Sequence, residues 1–310
     1  MLQKTARDHK HVYLVNVGVN LSHKLRSPIF PDLRFEFVPI PEDGDIGECV
    51  RADTTALTYG DLFCYNSSQK LLSLFSHKIQ DEFARRIVHY DPIFNNANDA
   101  CHATFTYGDV PYTNARASSL RGTQPGDLLF FLANLASYDC DSASFVRGQR
   151  ALYLIGLIEI ETVLEYMPEK KLLYDPFAGN YYDVFQFTKN AHVKRLLALP
   201  HRFEQQPFRM FEGSGRSRRF EYAVPVTRQL CEMCLRDKEN RPFDYKKFRS
   251  LDACIGAYTR AVRAHFKLNQ REGRQRFYSL LEYIASFNDV SLPAFDQAES
   301  RSARYLRPRG

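Results

Sequence analysis

The segment from His89 to Asp109 holds the densest group of side chains that could take part in chemistry. Imidazole, phenol, amide and carboxylate groups follow one another there: His89, Asp91, Asn95, Asn96, His102, Tyr107 and Asp109. Asp91 or Asp109 could act as a general base or bind a metal ion, and Tyr107 could stack on a base or donate a proton. The structural alternative is that Tyr-Gly-Asp forms a turn in which Asp109 bonds its own backbone.

A second group of candidates follows a stretch that is typical of a strand. Asn190 and His192 stand at its end, and Lys194 and Arg195 come directly after them. A histidine beside cations suits phosphate contact or acid–base work, because its charge changes near neutral pH. We therefore take Asn190, His192 and Arg195 as candidates, although a lone histidine is more often a structural residue.

The third group is a basic, glycine-rich stretch, Glu212-Gly-Ser-Gly-Arg-Ser-Arg-Arg219. Its glycines would let a ligand approach the backbone, and Ser217 offers a hydroxyl group. The guanidinium groups of Arg216 and Arg218 could bind phosphate. The stretch lacks the Gly-Lys-Ser/Thr that ends a P-loop, so nucleotide hydrolysis of that kind is not predicted. The competing interpretation is a basic hairpin turn.

No motif in the sequence defines a metal site, and none names a cofactor. Cys231-Glu-Met-Cys234 has the spacing of half a zinc site, but no second pair of ligands follows it. A buried pair on a helix is the simpler interpretation. The chain contains neither Gly-x-Ser-x-Gly nor His-Glu-x-x-His, so serine-hydrolase and zincin chemistry lack support.

The apolar patterning predicts a sheet as the scaffold for these candidates. Leu128–Leu132 and Leu152–Ile160 are continuous apolar runs, typical of strands that are covered on both faces. Further strands are predicted at His11–Val19, Arg34–Ile40, Tyr182–Phe187 and Phe220–Val226. Several short strands separated by turns favour an antiparallel or barrel-like sheet over a doubly wound one.

Helical spacing marks three segments, at Leu71–His89, Tyr245–Phe266 and Arg271–Phe287. The last two follow Pro242, so we predict a helical extension at the C-terminal end and a loose tail after it. The tetrapeptide Thr-Tyr-Gly-Asp occurs twice, at 58–61 and 106–109. Because the flanking residues do not align further, we interpret the repeat as two similar turns.

The positive charge of the chain is concentrated in its C-terminal quarter. The formal net charge is +6, and residues 236–310 contain 16 Lys and Arg against 9 Asp and Glu. A basic region of this kind fits contact with a polyanion, and it fits equally well a solvated helical surface.

Several absences bear on the compartment. The first ten residues contain no apolar segment of a secretory signal, and no run reaches the ~18 apolar residues of a membrane helix. The seven cysteines show no disulfide framework. We expect a soluble, cytoplasmic protein without a membrane partner.

The order of segments resembles the nucleotide modification associated domain 3 family. The segments are VYLVNVGVN at 12–20, FEFVPIPE at 35–42, TYGD at 58–61, TYGDV at 106–110, PGDLLFFLANL at 125–135, LYLIGLIEI at 152–160, NAHVKR at 190–195 and GSGRSRRFEYAVPV at 213–226. The family is associated, through genomic context, with systems that modify bases in DNA. The pair PGDLLFFLA and LYLIGLIEI also looks like the barrel of PUA-like domains, which often hold a flipped or modified base.

This resemblance implies an α+β fold. It would have a mostly antiparallel, PUA-like β-barrel core, flanking helices and a C-terminal helical extension. The core domain would span residues 1–235, and the basic helical extension and tail residues 236–310. Carried over by position, the resemblance also implies a pocket formed by Tyr107, Asp109, Asp127, Asn134, Asn190 and His192.

Three functions remain open on the sequence. The first is a reader of modified or flipped bases, in which Tyr107 stacks the base, Asp109 or Asn190 bonds its edge and arginines hold phosphates. The second is an enzyme acting on a base or nucleotide, with Asp109 or Asp91 as the base and His192 as the acid or phosphate contact. The third is a scaffold whose C-terminal helices bind a partner protein. The first two make nucleic acid the partner, and the family resemblance favours DNA.

Overall fold

The computed structural model describes residues 11–20, 22–42, 44, 47, 56–65, 67–94, 105–188, 190–203, 207–234 and 262–288. Within these ranges the chain forms a ten-stranded sheet, a two-stranded ladder and several helices. The strands are β1 His11–Asn16, β2 Ser27–Ile29, β3 Ile40–Pro41, β4 Val88–His89, β5 Thr106–Asp109, β6 Leu128–Asp139, β7 Ser144–Met167, β8 Leu172–Tyr174, β9 Tyr181–Asp183, β10 Arg209–Gly213, β11 Arg218–Pro225 and β12 Val262–Lys267. The α-helices are α1 His77–Phe83, α2 Ala191–Ala198, α3 Pro200–Phe203, α4 Arg228–Cys234 and α5 Arg271–Ala285.

Strand β6 and the part of β7 from Leu152 to Ile160 are antiparallel and buried on both faces. Leu128 and Phe130 of β6 belong to one apolar cluster, whereas Leu129 and Phe131 belong to another on the opposite face. Because both alternating sets of side chains are covered, the sequence of β6 is a continuous apolar run rather than an alternating one. The prediction of a strand covered on both faces is confirmed.

Most of the sheet is assembled around β7. Strand β7 pairs antiparallel with β6, β8, β10 and β11. Strands β1 and β2 lie parallel to β6, while β12 pairs antiparallel with β1 and β5 with β10. The α+β class with a mostly antiparallel sheet is therefore confirmed.

The sheet remains open in the described part of the chain. Its path runs β12-β1-β6-β7-β10-β5, and the end strands β12 and β5 do not pair with each other there. Closure into a PUA-like barrel stays a prediction, and so does the domain boundary after residue 235.

Helix α5 covers one face of the sheet near its β12 edge. Its Phe277, Leu280 and Ile284 lie in the same apolar cluster as Val12 and Phe130. The helix predicted at Arg271–Phe287 is thus confirmed, with its end at Ala285. None of the helices in the described ranges has the length and hydropathy that a bilayer crossing requires.

The strand predicted at Arg34–Ile40 is wrong over most of its length. Phe35 forms an isolated bridge to Ile29, and regular pairing begins only at Ile40 in the short strand β3. Pro39 and Pro41 cannot donate to a ladder, which explains why a longer strand does not form. Phe35 and Phe37 are nevertheless buried. The alternating aromatic residues therefore indicated burial correctly, although they do not form a strand.

Three further predicted elements need correction. Leu71–His89 is divided into a 3-10 turn, helix α1 and strand β4. Tyr182–Phe187 is a strand only to Asp183, whose carboxylate accepts a hydrogen bond from the Phe185 amide at 2.9 Å and so starts a turn. The helix predicted at Tyr245–Phe266 is wrong from Val262, where β12 pairs with β1. Its earlier part lies outside the described residues.

The two Thr-Tyr-Gly-Asp tetrapeptides have different conformations. The first is a 3-10 turn, in which the Asp61 carboxylate accepts hydrogen bonds from the Thr58 amide at 2.8 Å and hydroxyl at 2.7 Å. The second is strand β5, paired with β10. The interpretation as two similar turns is therefore wrong, because pairing in the sheet overrides the local turn preference.

The Gly-Ser-Gly-Arg stretch is a bulge in a strand pair. Gly213 at the end of β10 pairs with Ile160, and Arg218 at the start of β11 pairs with Leu157. Strands β10 and β11 therefore pair, one after the other, with successive parts of β7. A hairpin would have placed β11 beside β10 instead. The hairpin interpretation is wrong, and the extra residues re-aim the local side chains, as bulges commonly do.

Candidate functional site

Four separate segments converge at one buried cluster of polar side chains. They are Glu42 after β3, His89 and Asp91 at the end of β4, strand β5, and the first turn of α2. Strand β3 pairs with β4 at Ile40 and His89, and the Glu42 amide donates to the Ile87 carbonyl at 3.0 Å. The two-stranded ladder thus brings Glu42 beside His89.

Asp91 lies between strand β5 and helix α2. The Gly108 amide donates to both oxygens of its carboxylate, at 3.1 and 3.0 Å. His192 Nε2 lies 3.5 Å from Asp91 Oδ2. Asp91 is only 7% exposed. Among the described residues, the Gly108 amide and the His192 imidazole are therefore its main polar partners.

The first turn of α2 fixes the position of His192. Asn190 is the N-cap residue of α2, and its Oδ1 accepts a hydrogen bond from the His192 amide at 2.9 Å. Asn190 Nδ2 donates to the Thr106 hydroxyl at 3.4 Å, which ties the helix to β5. The His192 ring then stacks on Phe208, with centroids 5.8 Å apart. The Asn190 cap, its link to β5 and the stacked Phe208 ring together restrict the movement of the His192 imidazole.

Asp109 and Tyr107 form a buried pair on β5. Tyr107 donates from its hydroxyl to Asp109 Oδ2 at 2.8 Å, and the Val110 amide donates to Oδ1 at 2.7 Å. The phenol ring lies parallel to Phe211 and edge-on to Phe131. Its faces are thus covered, so stacking of Tyr107 on a base would require the core to open.

Glu42 links His89 to Arg195. Glu42 Oε2 lies 3.1 Å from His89 Nδ1, and Arg195 Nε donates to Glu42 Oε1 at 2.8 Å. Burial lowers the pKa of His89 to about 4. Burial alone would raise the pKa of Glu42, but hydrogen bonds from His89 and Arg195 lower it to about 2. At neutral pH the charged pair is therefore Glu42 with Arg195, and neutral His89 donates from Nδ1 to Glu42.

The other carboxyl groups behave differently. Burial raises the pKa of Asp91 and of Asp109, against the opposing influence of His192. Burial, with Asp109 and Asp91 nearby, also raises the pKa of Tyr107 well above its ordinary value, so its phenol is a neutral donor. Groups perturbed by burial and specific partners are concentrated at functional sites, although structural networks show them too.

The structure thus brings together Asp91, Asp109, His192, Tyr107, Asn190 and Arg195 among the residues singled out from the sequence. Their roles stay predictions. In the sequence, His89 stood out only as a member of the dense group and received no role, and Glu42 was not considered. The spacing of His89 and Asp91 could have indicated a pair, because residues two apart in an extended segment face the same side.

Two residues implied only by the resemblance lie elsewhere. Asp127 is fully buried at the start of β6, where its carboxylate accepts hydrogen bonds from the His11 amide at 2.7 Å and the Gln124 amide at 3.0 Å. Asn134, further along β6, falls on the same side as Leu132, opposite Phe131 and therefore opposite Tyr107. Neither residue is part of the cluster.

The bulge residues are also separate from the cluster. Ser217 Oγ accepts from the Glu159 amide at 3.1 Å, Arg216 Nε lies 2.6 Å from Glu159, and Arg218 donates to the Arg216 carbonyl at 3.2 Å. The bulge begins beside Phe105, whose carbonyl accepts from the Gly213 amide at 2.7 Å. Asp109 lies at the other end of β5, about 13 Å along an extended strand.

Other candidates have simpler placements. Cys231 and Cys234 lie on α4, and Cys231 packs in the apolar cluster beneath α5. Asn95, Asn96 and His102 lie outside the described residues.

The fold and the cluster define the class of this protein: an α+β protein with one large sheet and a buried carboxylate–imidazole cluster beside it. Within that class, the chain belongs to the nucleotide modification associated domain 3 family, whose model matches residues 11–246. The match covers the sheet from β1 to β11, helix α4 and every residue of the cluster. No curated protein and no solved structure matches the chain.

Proposed function

We propose that this protein is an enzyme that acts on a base or nucleotide in nucleic acid, and that Asp91, Asp109 and His192 form its reaction site. The observation that carries the proposal is their convergence from three segments of the chain. His192 contacts Asp91, while Asp109 lies on the strand whose Gly108 amide binds Asp91. The match to a family associated with nucleotide modification supplies the substrate class.

The energetic cost of this arrangement supports a functional role. Burying polar and charged groups is unfavourable unless specific partners compensate, and the carboxyl groups of Asp91 and Asp109 are both buried in this cluster. A core of this size could be filled by apolar side chains at lower cost. Reaction sites are where folds commonly retain such groups.

The hydrogen bonds of these residues also suggest which of them acts on the substrate and which position the others. Asp109 is oriented by a neutral phenol and a backbone amide, and a carboxylate held in this way can accept a proton from a substrate. Asp91 and Asn190 position His192. Tyr107 acts through Asp109, so we assign it a positioning role.

Base reading is a second proposal, supported by a different surface. The region around β8 and β9 exposes Phe177 and Phe185, which are 52% and 66% exposed, and Lys170 Nζ lies 4.3 Å from the centroid of the Tyr181 ring. Exposed aromatic side chains beside cations are typical of platforms on which bases stack. This surface, rather than Tyr107, would carry a reader function.

Product analysis separates the two proposals. The full chain is incubated with DNA containing unmodified or modified bases, and the digested nucleosides are analysed by mass spectrometry. The enzyme proposal predicts an altered nucleoside, with rates at least about 100-fold lower for Asp109→Asn and His192→Gln. DNA retention on a filter should change little, because neither side chain is assigned to phosphate.

The control is His77→Gln, which removes an exposed histidine from α1. It should leave both turnover and retention unchanged. Retention of DNA with every nucleoside and strand intact would reject the enzyme and favour the reader. A chain that neither alters nor retains nucleic acid would reject both.

A further inference from the structure

We propose that His89, Asp91 and His192 bind a divalent first-row transition-metal ion. Each of these residues offers one ligand atom, and the three atoms all lie within 4.8 Å of one another. They lie in the cluster assigned to the proposed function, but metal binding can be measured without substrate. The two proposals can therefore fail separately.

The spacing of the donor atoms suits an ion of this kind. Bonds of about 2.1 Å place neighbouring ligand atoms about 3–3.5 Å apart in octahedral and tetrahedral sites. The distance of 3.5 Å between His192 Nε2 and Asp91 Oδ2 is too long for a strong hydrogen bond and fits a shared ion. The other donor pairs lie within 4.8 Å, so they need to approach by no more than about 1.3 Å to reach tetrahedral spacing.

Each proposed ligand is held by a neighbour in the manner of known metal sites. His89 Nδ1 lies 3.1 Å from the Glu42 carboxylate, which leaves Nε2 as the ring atom for the ion. Carboxylate–histidine pairs of this kind orient the imidazole and raise its basicity as a ligand. The Gly108 amide orients Asp91, and the Asn190 cap orients the segment that carries His192.

The excess of acidic over basic side chains in the cluster also favours a bound cation. Three buried carboxyl groups lie in the cluster, those of Glu42, Asp91 and Asp109, and Arg195 is the permanent cation bound to Glu42. Among the described residues, no lysine or arginine forms an ion pair with Asp91 or Asp109. A divalent cation would neutralise this excess of acidic groups.

The chemical nature of the ligands narrows the choice of ion. Two imidazoles and one carboxylate favour zinc, iron, cobalt or nickel over magnesium and calcium, which prefer oxygen ligands throughout. Three protein ligands also leave coordination positions open for water or substrate, as in catalytic sites. Among the described residues, Asp109 bonds the Tyr107 hydroxyl and the Val110 amide and none of the three proposed ligands.

Metal content and spectroscopy test the proposal on the full chain. The protein is stripped with a chelator and dialysed separately against Zn²⁺ and Co²⁺, and bound metal is measured by mass spectrometry. We expect one ion per chain, and a visible Co²⁺ spectrum of a site with nitrogen and oxygen ligands. Asp91→Asn and His192→Gln should abolish stoichiometric binding, and Glu42→Gln should weaken it about 10–100-fold.

Two controls keep the test decisive. His77→Gln alters an exposed histidine and should retain full metal content, and circular dichroism checks that each variant is folded. X-ray absorption of the unaltered Zn²⁺-loaded protein gives an answer that needs no variant. Sulfur ligands in that spectrum, or less than a tenth of an ion per chain after dialysis, would overturn the proposal. Turnover by metal-free protein would leave the proposed function intact and reject the metal's part in it.

Discussion

Gly108 is the residue on which the geometry of the cluster most depends. Its amide binds Asp91, and a Cβ atom at this position would lie 2.4 Å from His192 Cδ2 and 3.3 Å from Asn190 Oδ1. The imidazole therefore occupies space that exists only because the residue is glycine. This close approach explains the use of glycine in a strand, where it is otherwise unfavourable.

We therefore expect Gly108→Ala to impair the site as well as to destabilise the fold. The methyl group should displace His192 and lower Zn²⁺ affinity at least about 10-fold, at a cost of about 1–3 kcal/mol in the free energy of unfolding. Calorimetric Zn²⁺ titration and urea unfolding measure the two effects. Gly122→Ala is the control, because no atom lies within 4 Å of its added Cβ. Unchanged affinity in Gly108→Ala would contradict this account of the cluster.

The individual site residues were partly predictable. Asp109 and His192 stood out because titratable side chains are dense around them, and the structure places both in the cluster. Glu42 could not be found in this way, since it follows a proline-rich stretch and meets His89 only through the short ladder of β3 and β4. Contacts between residues so distant in sequence have no local signal.

At the scale of elements, Arg219 of β11 anchors the irregular segment that contains Phe35. Its guanidinium carbon lies 3.9 Å from the ring centroids of both Phe35 and Tyr65, so it is held between two aromatic faces. Arg219 also donates to the Phe35 carbonyl, and it is only 8% exposed. A planar guanidinium suits this position, because a compact ammonium group cannot stack on both rings.

Arg219→Lys should therefore destabilise the protein although it preserves the charge. Loss of two buried cation–aromatic contacts and of hydrogen bonds predicts about 2–4 kcal/mol less free energy of unfolding, measured in urea. Arg216→Lys is the matched control, since that side chain is half-exposed on the neighbouring bulge and lysine keeps the positive charge beside Glu159. Equal stability of Arg219→Lys and the unaltered protein would show that the aromatic contacts are unimportant.

The elements that the sequence predicted correctly are those with a strong period or a long apolar run. Strands β6 and β7 and helix α5 have such patterns. The repeated Thr-Tyr-Gly-Asp shows the limit, because one tetrapeptide forms a turn in one place and strand β5 in the other. Which of the two forms depends on whether a partner strand such as β10 is adjacent, and local sequence does not contain that information.

At the scale of the whole molecule, the C-terminal part of the described chain adds an edge strand to the sheet and a helix that covers one of its faces. Strand β12 pairs with β1, and Gly273 of α5 lies so close to the Lys267 carbonyl that a Cβ there would be 1.9 Å from its oxygen. The apolar face of α5 is buried within this chain, which weighs against its use for docking a partner protein. The sequence did not predict that this region belongs to the folded sheet structure, because its basic composition is equally typical of a solvated extension.

The stability of the whole protein should accordingly depend on α5. Phe277 is 2% exposed and shares its cluster with β1 and β6, so Phe277→Ala should cost about 3–5 kcal/mol in the free energy of unfolding. Gln275→Ala, on the exposed side of the same helix, should change it by no more than about 0.5 kcal/mol. Urea unfolding followed by the far-ultraviolet signal of the sheet measures both. If α5 folded apart from the sheet, Phe277→Ala would leave the main transition unchanged, because its contacts with β1 and β6 would contribute nothing to it.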